Sequence, residues 1–444
     1  MNSYNKLKLL SDKIFDLKKS IDLIFWSAEI TDEDLSQKID QIITLESLAY
    51  EIASSKDLSK LTERVEVNKL SNLEKQEHGF AVSFLQSVSS VRFDLKAEFI
   101  RNSLKCRSEF SKLRPGDKFE SLQPAFSQML DALKKAIDSD TSVTGKNRYE
   151  KLLKLNKIEI SEIDEICISV APFLKSKLQG IKNPTKNCKP NKINVQRVLE
   201  KFLPKDAFTF NKGERFMVFE KEKPIKFVAR EKGEDIIPYL FHDIGKAIYS
   251  LYSTNNYRDN SLLSPSYDPN MSLTQAFLFS HFLLEEKVIG KAFNCIKNNS
   301  FNRCAISSNK FASLTHFMVK FAIEKALINE EIAIENLEDL FKDDMEHYFG
   351  VHGSLSSVFD NKHWFFGEFC MYPRYLKAMV FAAQIFHMLK SDGSICNASN
   401  AKLKKLTDWL SKNMYNVDQK KPEDSIIETL TGEKLDCRFF KKFE

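Results

Sequence analysis

The strongest constraint on the fold is the scarcity of helix breakers across long amphipathic runs. The 444 residues include only 13 Gly and 12 Pro. Those two residues cost roughly 1 and 3 kcal/mol in a helix interior, so a chain that avoids them is free to stay helical. From Tyr4 to about Ile24 the apolar residues Leu7, Leu10, Ile14, Leu17, Ile21 and Ile24 recur every three or four positions, the helical period. The same period predicts helices over Asp32–Ser54, with Asp32 as N-cap, then Asn72–Ser111, Lys118–Ile137 and Ser161–Gly180, the last opened by a Ser161/Asp164 capping pair. Further helices are expected at Val195–Phe202, Ile236–Tyr252, Ser272–Ile296, Ser308–Leu327, Ile334–Tyr348, Pro373–Lys390, Ala401–Met414 and Pro422–Leu430.

One stretch departs from this period. Arg215–Glu220 and Ile225–Arg230 alternate polar and apolar residues on either side of a Lys221–Pro224 turn, which predicts a β-hairpin. Asp138–Lys146 and the basic segment 182–192 (KNPTKNCKPNK) read as exposed loops, the latter also a candidate dock for an acidic partner. No linker divides the chain, so the expectation is a single domain over 1–444, with a helical N-terminal half (1–181) and a second half (193–444).

Composition excludes several function classes. With 43% apolar and 29% charged residues the chain is globular rather than disordered. Its 66 basic residues are nearly balanced by 61 acidic ones, with no basic stripe for nucleic acid. The eight Cys are scattered without a C-x-x-C pair, which points to reduced thiols in a cytoplasmic protein. The first twenty residues interleave charge with every apolar run, as a helix does and a signal peptide does not, and no apolar run is long enough to span a membrane.

The pattern with chemical content is His242-Asp243-Ile244-Gly245-Lys246, within the predicted helix Ile236–Tyr252. A zinc peptidase helix reads H-E-x-x-H, with two His on one face as metal ligands and the Glu as general base. Here one His stands, Asp replaces Glu, and Lys replaces the second His. Taken alone, His242 is equally what a buried structural histidine looks like.

Four stretches carry a wider resemblance. HDIGKAIYSL at 242–251 is similar to H-E-x-G-H-A-L-Y-E-Q, keeping Gly245, Ala247 and Tyr249. MSLTQAFLF at 271–279 is similar to I-H-E-S-Q-S-R-L-W, keeping Gln275 and Leu278. The run 316–337 contains F-x-x-E-K-A-L-I at Phe321–Ile328. The run 359–386 keeps His363, Trp364, Gly367, Phe369, Pro373, Tyr375, Ala382, Ala383, Gln384 and Phe386 of D-V-H-W-S-G-G-x-F-G-Y-F-P-x-Y…A-A-Q-x-F. Trp26 near the start and Trp409, Thr431, Gly432 and Glu433 near the end extend the match. The sequence thus resembles the carboxypeptidase Taq family of zinc metallocarboxypeptidases over essentially its whole length.

This resemblance implies a mainly α, gluzincin-like, saddle-shaped fold with a deep cleft, a small β-hairpin at its edge and a homodimeric assembly. It places the first metal ligand at His242, the general base at Asp243, and the lost second and third ligands at Lys246 and Leu273. It puts the family's active-site Tyr at Met371 and its Arg at Phe277, and the substrate side of the cleft at His316, His363, Trp364, Met371 and Tyr372. The expected reading is a pseudopeptidase with no cofactor, holding a peptide or protein in the old cleft and binding neither nucleic acid nor membrane. The alternatives are a zinc-dependent carboxypeptidase with atypical ligands, Asp243 serving as its base, and a purely helical interaction scaffold.

Overall fold

The computed structural model of the chain describes residues 2–31, 33–114, 116–178, 191–192, 194–212, 217–219, 224–229, 232–233, 236–253, 269–283, 303–349, 358–391, 406–415 and 423–442. Asp32, most of the basic segment 182–192 and the Lys221–Pro224 turn, and the ends of two expected helices at 284–296 and 401–405, lie outside these residues. The described part is mainly helical, as the apolar period requires, and falls into two compact units. The first comprises 1–160, 259–264 and 319–372; the second comprises 161–258, 265–318 and 373–444.

In the first unit, α1 (Ser3–Thr31), α2 (Ile39–Ala53), α3 (Lys56–Glu63) and α4 (Asn72–Ser89) share a core of Leu7, Ile14, Ala49, Leu58, Ala81 and Leu85. A second cluster joins Ile21, Ala28 and Ile42 to Leu104 of α5 (Phe93–Lys112). Local chemistry sets the helix starts. Ser71 and Glu74 form a reciprocal capping box on α4, Ser55 caps α3, and Asn147 caps α7 (Arg148–Leu155). Two expectations shift here. The run expected over Asn72–Ser111 breaks at 90–92 into α4 and α5. Asp34 is a cap, on the turn Leu35–Lys38, and its other oxygen accepts from Ser108 at 3.0 Å. Helices α3 and α7, each eight residues long, add to the expected set.

The first unit also holds α6 (Gln123–Ser139), the C-terminal end of α12 (Arg303–Ile328), α13 (Leu337–Phe349) and α14 (Lys362–Phe365). Their anchor is Glu324, fully buried on α12. Its carboxylate accepts from the Tyr149 hydroxyl (2.8 Å), the Trp364 indole Nε1–H (2.7 Å) and the backbone N–H of Cys370 (2.9 Å). Cys370 has φ +65°, a conformation costly for a side-chain-bearing residue, and this last bond holds it there. Gly367 in the same turn has φ +76°, and a Cβ on it would lie 2.8 Å from that of Ser103. The matched Glu, Trp and Gly of the sequence therefore belong to one structural knot.

In the second unit a three-stranded sheet of β2 (Phe208–Lys212), β4 (Ile225–Ala229) and β3 (Met217–Phe219) runs in that order. The β3–β4 pair is antiparallel, with Val218 opposite Phe227, as the hairpin expectation requires. The expectation of a hairpin alone is corrected: β2 adds in parallel to β4, Phe208 opposite Ile225. Parallel pairing is non-local and leaves no turn signature for the sequence to show. A short ladder pairs Asn191–Lys192 (β1) with Lys232–Gly233 (β5). Helix α8 (Ile160–Leu178) opens one residue before the expected Ser161, which puts Ser161 inside the first turn and not at the cap.

Two polar knots tie helices α15 (Met371–Ser391) and α16 (Glu423–Thr431) into this unit. Buried Lys377 bonds Glu162 of α8 at 2.7 Å and Asp424 of α16 at 2.8 Å. Fully buried Gln384 donates to the Thr431 hydroxyl and to the carbonyls of Glu433 and Lys434. The matched A-A-Q and T-G-E sequences are thus the two halves of one contact. Cys106, Cys167, Cys370 and Cys437 are free thiols, and no described helix is long and apolar enough to cross a membrane.

Burial raises the Glu324 carboxyl from an ordinary 4.5 to about 7, and the three donors offset this only in part. A carboxyl raised in the folded state stabilises it below about pH 4.5, and that contribution is lost as pH rises through 7. The loss amounts to roughly 3 kcal/mol. Urea unfolding of the wild type and Glu324→Gln at pH 5 and pH 8 should therefore show the balance moving toward the variant at pH 8. A difference independent of pH would mean that Glu324 titrates as an ordinary carboxylate.

Candidate functional site

The site is built on the crossing of α10 (Ile236–Ser253) and α11 (Pro269–Phe282), both in the second unit. Helix α10 is apolar along the face bearing Phe241, Ile244, Ala247 and Ile248, all fully buried. At the crossing the two backbones nearly touch. A Cβ on Gly245 would lie 2.4 Å from the Gln275 carbonyl oxygen and 2.8 Å from Ala276 Cα. Only glycine permits this approach.

Two buried polar side chains lock α11 in register. Gln275 accepts from the Tyr415 hydroxyl at 2.8 Å, and Thr274 donates to Glu423 at 2.5 Å. The Tyr415 ring in turn packs edge-on against Tyr249 of α10, 5.5 Å between centroids. Phe202 of α9 (Val195–Phe202) packs on both Phe241 and Phe279 and so clamps the pair.

This frame presents His242, Asp243 and Lys246, each partly exposed. His242 Nδ1 lies 3.2 Å from Asp243 Oδ1, with the two side chains 23% and 13% exposed. A carboxylate only accepts, so the ring donates its Nδ1–H and leaves the Nε2 lone pair outward. Burial holds His242 below its usual range, and the nearby Lys246 charge pushes the same way against the hydrogen bond to Asp243. The ring is thus neutral at neutral pH. Lys246 lies four residues on, hence on the same helix face. Among the described residues its ammonium makes no hydrogen bond or ion pair.

The edge of the Phe277 ring meets His242 at 5.6 Å. From His242 to Gly245 on α10, the contacts run back from Phe277 to Gln275–Ala276 on α11, so the helices are antiparallel here. That register carries Leu273, 5% exposed, to the level of Lys246 and Ala247. Phe277 also meets Tyr375 at 5.9 Å and Phe317 at 6.5 Å, and those two rings lie 4.9 Å apart.

The other expected site residues divide. His316 is partly exposed on α12, next to Phe317, in the second unit. His363 and Met371 are partly exposed in the first unit, where His363 Nδ1 is 2.7 Å from Glu368. Trp364 and Tyr372, expected on the substrate side, are corrected to interior residues. Trp364 is fully buried against Glu324, and Tyr372 is 1% exposed with its hydroxyl 3.4 Å from Asn361. Sequence reasoning missed Glu324 as their anchor, although an acid within the apolar stripe Phe321, Leu327 and Ile328 was the available signal.

A second polar pair also escaped notice. His281 Nδ1 lies 2.5 Å from Lys310 Nζ, and burial lowers the pKa of both. Glu285 and Glu286, the nearby acids on the sequence, lie outside the described residues.

The profile of the carboxypeptidase Taq (M32) metallopeptidase family matches residues 6–211 and 278–443, and the chain belongs to this family. Its sequence is 25% identical over 128 residues to carboxypeptidase 1 of Bacillus subtilis (strain 168), covering 28% of this chain and 26% of that protein. It is 23% identical over 132 residues to thermostable carboxypeptidase 1 of Pyrococcus furiosus, covering 29% and 26% respectively. In sequence, therefore, the alignments span about a quarter of those relatives.

In structure the coverage is nearly complete. The P. furiosus carboxypeptidase in an apo-Mg form superposes with a TM-score of 0.84 at 15% identity, over 100% of this chain and 98% of that one. Trypanosoma cruzi metallocarboxypeptidase 1 gives 0.82 at 14% identity, over 99% and 98%. These likenesses establish the fold. The profile leaves 212–277 unmatched, and His242, Asp243, Lys246 and Leu273 all lie there.

A catalytic zinc ion takes three protein ligands and an open position. The α10–α11 face offers one imidazole, a carboxylate already bonded to that imidazole, an ammonium and a leucine. Among the described residues no three His, Cys, Asp or Glu side chains are grouped to hold a metal. The residues present do not fit the ion.

The crossing itself is directly testable. Gly245→Ala would force a methyl into the α11 backbone, and overpacking of this kind costs about 1–3 kcal/mol. Thermal unfolding should show a clearly lowered Tm for this variant, while Gly79→Ala, whose Cβ would meet nothing within 4 Å, should leave Tm unchanged or raised. An unchanged Tm for Gly245→Ala would contradict the close crossing.

Proposed function

We propose that this protein is a carboxypeptidase Taq family member without metal-dependent peptidase activity, using the retained frame to bind rather than to cut. The observation that carries the reading is the His242–Asp243 pair with Lys246 one turn on along α10, where the family resemblance expects a second histidine and, at Leu273, a third ligand. An ammonium repels a divalent ion, and a leucine has no donor atom. Asp243 adds to the case. It is one methylene shorter than a glutamate, and its carboxylate is turned to the His242 ring. A general base needs to reach the proton it takes within about 3 Å or through one water. The unmatched profile segment around these residues, against matches on both sides, supports the same reading.

The test is a pair of measurements. The wild type, supplied with zinc, should release no C-terminal residue from an N-blocked dipeptide. The double variant Lys246→His with Leu273→Glu should bind zinc at least about 100-fold more tightly than the wild type, since even a lost supporting partner costs 10–100-fold. Zinc-dependent hydrolysis by the wild type, or a double variant with no gain in affinity, would overturn the reading.

A further inference from the structure

The first unit holds a charge cluster at a place where packing alone would put apolar side chains. Lys18 on α1 is flanked by Ile14 and Ile21, and Glu46 on α2 by Ile42 and Ala49, all four of them buried at helical spacing on the same face. Ile14 and Ala49 belong to one core cluster of the unit, and Ile21 and Ile42 to the other. Lys18 and Glu46 therefore meet at the seam between two apolar cores.

Glu46 is 7% exposed and accepts from Lys18 Nζ through both oxygens, at 2.6 and 2.5 Å. Lys96 of α5 reaches one of the same oxygens at 2.9 Å. Glu46 and Lys96 are the charges that act most strongly on Lys18, and the two lysines are those that act most strongly on Glu46. One carboxylate balances one ammonium, so a second cation is left over at a seam where the two lysine side chains are only 25% and 24% exposed.

Burial and the Lys96 charge outweigh the attraction of Glu46 and bring the Lys18 ammonium down from 10.5 to about 8. The uncharged amine gives up no bond to the carboxylate. It keeps two N–H groups, one for each Glu46 oxygen, and its lone pair is then directed away from them. An amine in this state is a nucleophile, whereas an ammonium is not.

We propose that Lys18 is a modification site for a small acyl group delivered by an acyl phosphate. The Nζ lone pair attacks the acyl carbon, the bond from that carbon to the phosphate oxygen breaks, and the proton released from Nζ leaves with the phosphate. The products are a neutral amide and inorganic phosphate. The negative charge of the donor suits the surplus cation, and its small size suits a side chain only a quarter open. Acylation removes the surplus charge and leaves Glu46 and Lys96 as a one-to-one pair, so the fold accepts the product.

Treatment of the intact protein with acetyl phosphate, with the rate at each lysine read by mass spectrometry of the digest, tests this. At pH 7.5 Lys18 should be acetylated at least about tenfold faster than the median lysine, since a far larger share of it is neutral. Its rate should level off above about pH 8, while the exposed lysines go on gaining to pH 10. Lys96→Met removes the surplus charge, so it should slow Lys18 and move the levelling-off up toward the ordinary lysine range; Lys96→Arg should keep both as in the wild type. In urea-unfolded protein Lys18 should fall back to the median. An ion pair that merely joins helices would instead leave Lys18 among the slowest lysines. That result overturns the proposal, as does faster labelling of Lys96 than of Lys18, or a wild-type Lys18 profile that climbs like those of the exposed lysines.

Discussion

The close crossing of α10 and α11 at Gly245 is the constraint on which the site depends. Because the Gly245 backbone lies against Gln275 and Ala276, the side chains on either side of the crossing are brought face to face. His242 meets Phe277 on one side of it. The glycine, the Gln275–Tyr415 bond and the Thr274–Glu423 bond all serve this geometry.

Buried polar knots hold the rest of the frame. Glu324 gathers Tyr149, Trp364 and Cys370 into a knot that fixes the turn before α15. Gln384 does the same for the Thr431–Lys434 turn in the second unit. Both knots are buried polar arrangements in which nearly every donor finds an acceptor. Removing one partner would leave a buried group unsatisfied, at a cost of about 1–3 kcal/mol. Positions of this kind tolerate little substitution.

Much of the fold was legible in the sequence because helical period is a local signal. The long helices and the β3–β4 hairpin follow from spacing and turn residues alone. The break between α4 and α5, the short helices α3 and α7, and the parallel strand β2 were not legible, since each is decided by packing with distant residues. For the site, the family resemblance supplied a set of candidate positions, His242, Asp243, Lys246 and Leu273. What escaped was the role of each matched residue. Trp364 and Tyr372 read as substrate contacts, yet they are core residues, and Glu324, which holds Trp364, had no role assigned to it. The ring contacts among Phe277, Phe317 and Tyr375 draw on α11, α12 and α15, so no single stretch of sequence displays them.

The central claim is that the α10–α11 face has lost its capacity for a metal ion while keeping its architecture. Elemental analysis of protein purified without chelator, after equilibration with micromolar zinc and removal of the excess, tests it most directly. The account predicts far less than one zinc per chain. One zinc per chain, lost when His242 is replaced by alanine, would contradict it.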